Sequence, residues 1–134
     1  MPIALRVVSV ERSLFEGDVD FIVANGADGE LGILPRHAAL MTSLKPGTLK
    51  ITQGDKETLI FVGGGFLEVL PDRVTVLADT AERAEEISIE RAEAARKHAQ
   101  EKLAGTLSTA EEVEFQQALA MAEARLRLAR ARRG

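Results

Sequence analysis

The chain has 134 residues, with 17 basic and 21 acidic side chains, a formal net charge of -4, 46% hydrophobic residues and no cysteine, tryptophan or tyrosine. That length suits one domain, or a small domain with an appendage, and the hydrophobic content excludes disorder. The acidic balance and the 4% aromatic content argue against a binder of nucleic acid, and the lack of cysteine removes disulfides, thiolate metal sites and a Cys nucleophile.

Met1 to Val10 shows no apolar run behind a basic lead, and nothing approaches the ~20 apolar residues of a membrane-spanning helix. The expectation is a soluble chain that meets a membrane only through a partner. From Ala4 to Ala78 the apolar residues alternate or form short runs between turn signals, the pattern of strands. Leu5 and Val7 share one face of a first strand. Glu16-Gly17-Asp18 reads as a turn into Val19 to Ala24, and Asn25 to Gly29 as a tight surface turn. Pro35 ends the strand that follows.

Lys45-Pro46-Gly47 reads as another turn, Gln53-Gly54-Asp55 as a hairpin tip, Gly63-Gly64-Gly65 as a bulge or close backbone approach between strands, and Pro71-Asp72 as a turn. The spacing predicts about eight to ten strands in an antiparallel sandwich or barrel.

At Asp79 to Glu86 helix composition takes over. Ile89, Ala92, Ala95, Ala99 and Leu103 form one stripe of a first helix that Gly105 ends, and Ser108-Thr109-Ala110-Glu111 is a capping box for a second. The second stripe is Phe115, Ala118, Leu119, Ala122, Leu126 and Ala129. A short link makes the pair an antiparallel hairpin. The fold is therefore mainly β plus α, with a β-sandwich at 1–84 and a helical hairpin at 85–134. Residues 1–84 hold 8 basic and 12 acidic side chains, while 85–134 hold 9 of each, acids first and five arginines last. A seam rich in alanine forgoes ~0.8 kcal/mol for each methylene it lacks, so the hairpin should dock weakly and open.

No catalytic constellation is visible. His37 and His98 are the only histidines, and neither has a ligand at metal-site spacing. Glu30 reads from its own position as a solvated carboxylate. The arginines from Arg125 to Arg133 suit either a solubilised helix end or a docking surface.

Several stretches in order, Gly29-Glu30-Leu31-Gly32-Ile33-Leu34-Pro35-Arg36-His37-Ala38, Lys45-Pro46-Gly47, Gly64-Gly65-Phe66-Leu67-Glu68-Val69 and Val74 to Arg83, resemble the epsilon subunit of the F-type rotary ATP synthase. The resemblance covers essentially the whole chain and implies a noncatalytic rotor part on the cytoplasmic face of the inner membrane. Its sandwich would bind the gamma subunit and rest on the c-ring, with Glu30 and His37 in the contact segment. Its hairpin would reach the catalytic alpha and beta subunits through Arg125, Arg127, Arg130, Arg132 and Arg133 and restrain ATP hydrolysis.

No cofactor is required for that role, but some members bind regulatory ATP through an Ile-Asp-x-x-Arg-Ala motif. The matching residues here are Glu82, Ile87, Arg91, Ala92 and Arg125, with Ser88 in place of the aspartate and His98 where an arginine often lies. A free-standing nucleotide-sensing module is the alternative reading. A small-metabolite enzyme using Glu30 and His37 is a weaker one.

Overall fold

The computed structural model describes residues 2–131 and divides after Arg83 into two units. The first contains β1 (Ile3–Ser9), β2 (Ser13–Val19), β3 (Phe21–Gly26), β4 (Gly29–Ile33), β5 (Leu40–Gln53), β6 (Lys56–Val69), β7 (Arg73–Ala78) and β8 (Ala81–Arg83). The second contains a single 3-10 turn at Ala84–Glu86, then α1 (Ile89–Leu103) and α2 (Thr109–Ala131). Among the described residues, no helix is long and apolar enough to cross a membrane.

The strands pair in the order β2-β1-β7-β6-β5-β3-β4, with β8 on β6. All pairs are antiparallel except β1 with β7, so the expected antiparallel sandwich carries one parallel pair. Burial alternates along β1, β2, β3 and β7, whereas β6 is buried without a break from Ile60 to Gly64. Ile3, Leu5, Val7, Ile22, Ile51, Leu67 and Val76 all enter one core.

β5 and β6 are long, and each serves two layers. The Gly65–Val69 half of β6 pairs with β7, whereas Ile60–Val62 pairs with β8; β5 pairs with β3 mainly through Lys50–Thr52. Strands that pass from one layer to the other need a bend, and the glycines supply it. Gly64 and Gly65 take φ of 99° and 126°, and a Cβ on Gly65 would collide with the Leu77 carbonyl. The expected close approach is therefore present, but it lies inside one strand.

Lys45-Pro46-Gly47 is not a turn: it lies within β5, with Pro46 opposite Gly63. The β3–β5 register is interrupted between the Val23 and Gly26 pairings, so the missing proline N–H falls where no ladder needs it. Asn25 fills the interruption, donating from Nδ2 to the Pro46 carbonyl at 3.1 Å. A Cβ on Gly47 would stand 2.6 Å from that same Asn25 nitrogen, so the glycine is fixed by packing.

Glu16-Gly17-Asp18 likewise lies within β2, continuing its alternation toward the buried Val19. Gln53 Nε2 donates to the Asp18 carbonyl at 2.9 Å, and Arg83 Nη2 donates to the Leu14 carbonyl at 3.1 Å. These bonds bring the β2 edge back against β5 and β8. The helix composition expected from Asp79 is delayed by β8 and the 3-10 turn.

In the second unit α1 and α2 pack together. Ala92, Ala99, Ala122 and Ala129 are buried, as the alanine seam predicts, but Ala95 and Ala118 are exposed and Arg96 shares the inner stripe. The helices meet through Glu93 with Arg130 and His98 with Phe115, in reverse order along the two helices, as an antiparallel hairpin requires. Gly105 follows the C-cap Ala104, which keeps right-handed φ of -76°; the left-handed glycine cap is absent.

The capping box forms. Ser108 N–H donates to Glu111 Oε1 and Glu111 N–H donates to Ser108 Oγ, each at 3.2 Å. The Ser108 backbone N–H first, and its hydroxyl second, hold the exposed Glu111 carboxyl below the ordinary glutamate range.

Candidate functional site

Glu30 sits at the start of β4, an edge strand, opposite Asn25 of β3. It is exposed, and with Asp28, Leu31, Leu40 and Thr42 it lines a cleft of about 110 Å3. Ala27 N–H donates to the Ser43 carbonyl at 3.0 Å, tying this hairpin tip to β5.

At the other end of β4 the chain turns sharply. His37 N–H donates to the Leu34 carbonyl at 3.2 Å, Pro35 holds the second position, and Arg36 takes φ of 64° at the third. That third position favours glycine in a type II turn, and an L residue there carries strain of about 1–2 kcal/mol. Arg36 N–H donates to the Pro71 carbonyl at 3.1 Å, which holds the strained residue in place. The turn leaves Leu34 61% exposed. His37 is half-buried, with Nδ1 2.8 Å from the Ala38 carbonyl, where the ring nitrogen must donate. Among the described residues no hydrogen bond joins Glu30 to His37, and no metal-binding cluster of His, Cys, Asp or Glu occurs.

A second surface was not foreseen. Phe66 is opposite Leu77 across β6 and β7, Leu77 is opposite Val8 across β7 and β1, and Ser43 of β5 completes the row beside Phe66. Met41 lies two residues from Ser43 on the same face. Phe66 is 57% exposed, Leu77 54% and Met41 66%, on the side of the sheet away from Leu67 and Val76. With strands ~4.8 Å apart, these side chains form one apolar ridge. The signal was available: Phe66 and Leu77 are apolar residues standing out of phase with the buried Leu67, Val69, Val74 and Val76. Beyond the ridge the same face becomes a charged groove of about 440 Å3, with Arg6, Glu16, Asp18, Glu68 and Arg73 around it. An apolar centre with a charged margin is the composition of a protein interface.

The expected nucleotide residues are divided. Glu82 lies in β8, opposite Phe61, in the first unit. In the second, Ile87 and Ala92 are buried, Arg91 is exposed and Arg125 is half-buried. Ser88 caps α1, its Oγ accepting the Arg91 N–H at 3.2 Å. His98 packs edge-on against Phe115, ring centres 5.9 Å apart. A serine and an aromatic contact thus take the places of the motif's carboxylate and a cation.

Of the terminal arginines, Arg127 is exposed and Arg130 Nη2 donates to Glu93 Oε1 at 3.2 Å. Arg132 and Arg133 lie outside the described residues.

Comparison with known proteins agrees with this geometry. Residues 2–84 match the family model described as ATP synthase, Delta/Epsilon chain, beta-sandwich domain. The ATP synthase epsilon chain of Dehalococcoides mccartyi is 48% identical over 134 residues, covering 96% of this chain and 93% of that protein. That of Desulforamulus reducens is 54% identical over 99 residues, 74% of this chain and 75% of that protein. Among solved structures, a chain of the Euglena gracilis mitochondrial ATP synthase, described as OSCP/F1/c-ring, aligns with a TM-score of 0.81 at 26% identity over 91% of this chain and 78% of that chain. A chain of the Tetrahymena thermophila central stalk and c-ring, at 13% identity and a TM-score of 0.66, shares the fold. The chain belongs to the epsilon-chain family of ATP synthase, and it is a noncatalytic subunit of that complex.

Proposed function

We propose that this subunit works in the rotor, coupling proton flow through the c-ring to ATP synthesis by way of gamma. The observation that carries the reading is the apolar ridge of Met41, Phe66 and Leu77, an exposed patch on an otherwise well-formed sandwich. In this reading the ridge and its charged margin seat the gamma subunit. The Glu30 cleft and the strained Leu34–His37 turn meet the c-ring, where a carboxylate and an exposed leucine suit polar loops with small apolar crests. The whole subunit then lies at the cytoplasmic face of the membrane and touches it only through the complex.

The hairpin is the removable part. Its alanine seam favours opening, and the basic end of α2 suits acidic surface on the catalytic alpha and beta subunits, where it would restrain ATP hydrolysis. ATP itself is at most a weak ligand of the hairpin, because Ser88 supplies a helix cap where the nucleotide motif supplies a carboxylate.

The test is a Phe66→Ser, Leu77→Ser double variant. Both side chains are a little over half exposed, so new burial is worth roughly half of the ~1.5–3 kcal/mol of a whole large side chain. Together they account for about 1.5–3 kcal/mol, which predicts gamma binding weakened about 10- to 150-fold with an unchanged melting temperature. Binding within twofold of the parent would remove the ridge from the interface.

A further inference from the structure

The acidic start of α1 and the arginine end of α2 are brought together by the antiparallel hairpin. Their point of contact is Glu93 with Arg130, an ion pair at 3.2 Å with side chains 49% and 54% exposed. The pair stands near the hairpin's open end, one residue from the last described residue of α2, while the connection at 104–108 closes the other end. Between them lie the buried Ala99, Ala122, Ala124, Leu126, Leu128 and Ala129 and the ring contact of His98 with Phe115. Each member of the pair is also near a helix end whose dipole favours its charge. A contact at the open end, opposite the connection, has leverage on whether the helices part.

We propose that Glu93 is an electrostatic latch: it holds Arg130 and the open end of the hairpin shut, and it occupies the cation that an acidic partner surface would need. Competition with a partner surface rests on the proposed role of the basic end against the catalytic subunits. Glu93 then stands in for the partner's carboxylate, and the arm engages only when one replaces the other. Because the pair is exposed, screening by salt weakens it, so ionic strength joins partner charge in setting the open fraction.

The chain lacks cysteine, so two labels can be placed without background. Ala94→Cys and Ala131→Cys, both at exposed positions, report the gap at the open end of the full-length chain by pulsed electron paramagnetic resonance. The open-to-closed ratio is expected to rise from low to high salt. Glu93→Gln, which keeps the side chain's shape, should raise that ratio about 1.4- to 5-fold at low salt, the range an exposed ion pair supports, and flatten the salt response. Exchanging the charges, Glu93→Arg with Arg130→Glu, should restore closure.

An unchanged gap distribution in Glu93→Gln, with the parent's salt response intact, overturns the latch. Failure of the charge exchange to close the hairpin overturns it as well. In the assembled complex, Glu93→Gln should restrain hydrolysis more strongly, whereas the exchanged pair should restrain it less, because the tip has lost its positive charge. Opening without any change in hydrolysis keeps the latch and overturns the competition with a partner surface.

Discussion

Ser88 is the position where a small change separates two roles. Its hydroxyl accepts the Arg91 N–H at 3.2 Å and satisfies one of the donors that the first turn of α1 cannot pair internally. Ser88→Ala removes that acceptor, and an N-cap serine is worth about 1 kcal/mol, so exchange of amides in the first turn of α1 should speed up about fivefold. Ser88→Asp keeps the cap, since aspartate and serine rank alike there, and adds a carboxylate beside Arg91 and Ala92. Exchange should then match the parent.

The same variant speaks to nucleotide binding. A hydrogen bond to a charged group contributes ~1.5–3 kcal/mol, so Ser88→Asp should tighten ATP binding at least about tenfold, measured by calorimetry on the full chain. A parent that binds ATP as tightly as Ser88→Asp would refute the assignment of serine to capping alone. Parent-like exchange in Ser88→Ala would refute the cap itself. No heat for either protein would remove the nucleotide-sensor alternative.

Arg36→Gly should stabilise the sandwich by up to about 1.5 kcal/mol, relief of ~1–2 kcal/mol of strain set against the ~0.5–1 kcal/mol entropic cost of glycine; a fall in the urea midpoint would contradict the strain. Acid should loosen the start of α2. Because the folded pKa of Glu111 is lowered, its contribution is present above the ordinary glutamate range and lost as pH falls through the folded value. The Ser108 amide resonance should shift over that window in the parent and stay put in Glu111→Gln. Ending the chain at Arg83 should leave a folded sandwich that joins the complex while ATP hydrolysis rises, and unchanged hydrolysis would refute the restraint by the arm.

Local chemistry was the legible part of this sequence. The capping box at Ser108 and Glu111, the hairpin tip at Gly54, the strand end before Pro35 and the alanine seam all depend on residues within a few positions of each other. Lys45-Pro46-Gly47 misled because its meaning is not local: Pro46 is tolerated where the β3 ladder is interrupted, and Gly47 is small because Asn25, 22 residues earlier, fills its space. The parallel β1–β7 pair and the short β8 are likewise fixed by where distant strands arrive.

The candidate site divides the same way. Glu30, His37 and the terminal arginines stood out by motif and charge. The ridge did not, because Phe66, Leu77 and Met41 become neighbours only through the registers of β5, β6 and β7. The charge gradient along the hairpin was visible, but its internal use was not: only folding brings Glu93 to Arg130 and makes the arm's acids a rival for its arginines.

The rotor role is tested by binding of the full chain to purified gamma subunit. The expected result is a one-to-one complex that survives gel filtration and dissociates when Phe66 and Leu77 are both replaced by serine. A chain that elutes alone beside gamma, at concentrations well above those of a stable interface, would contradict the rotor reading.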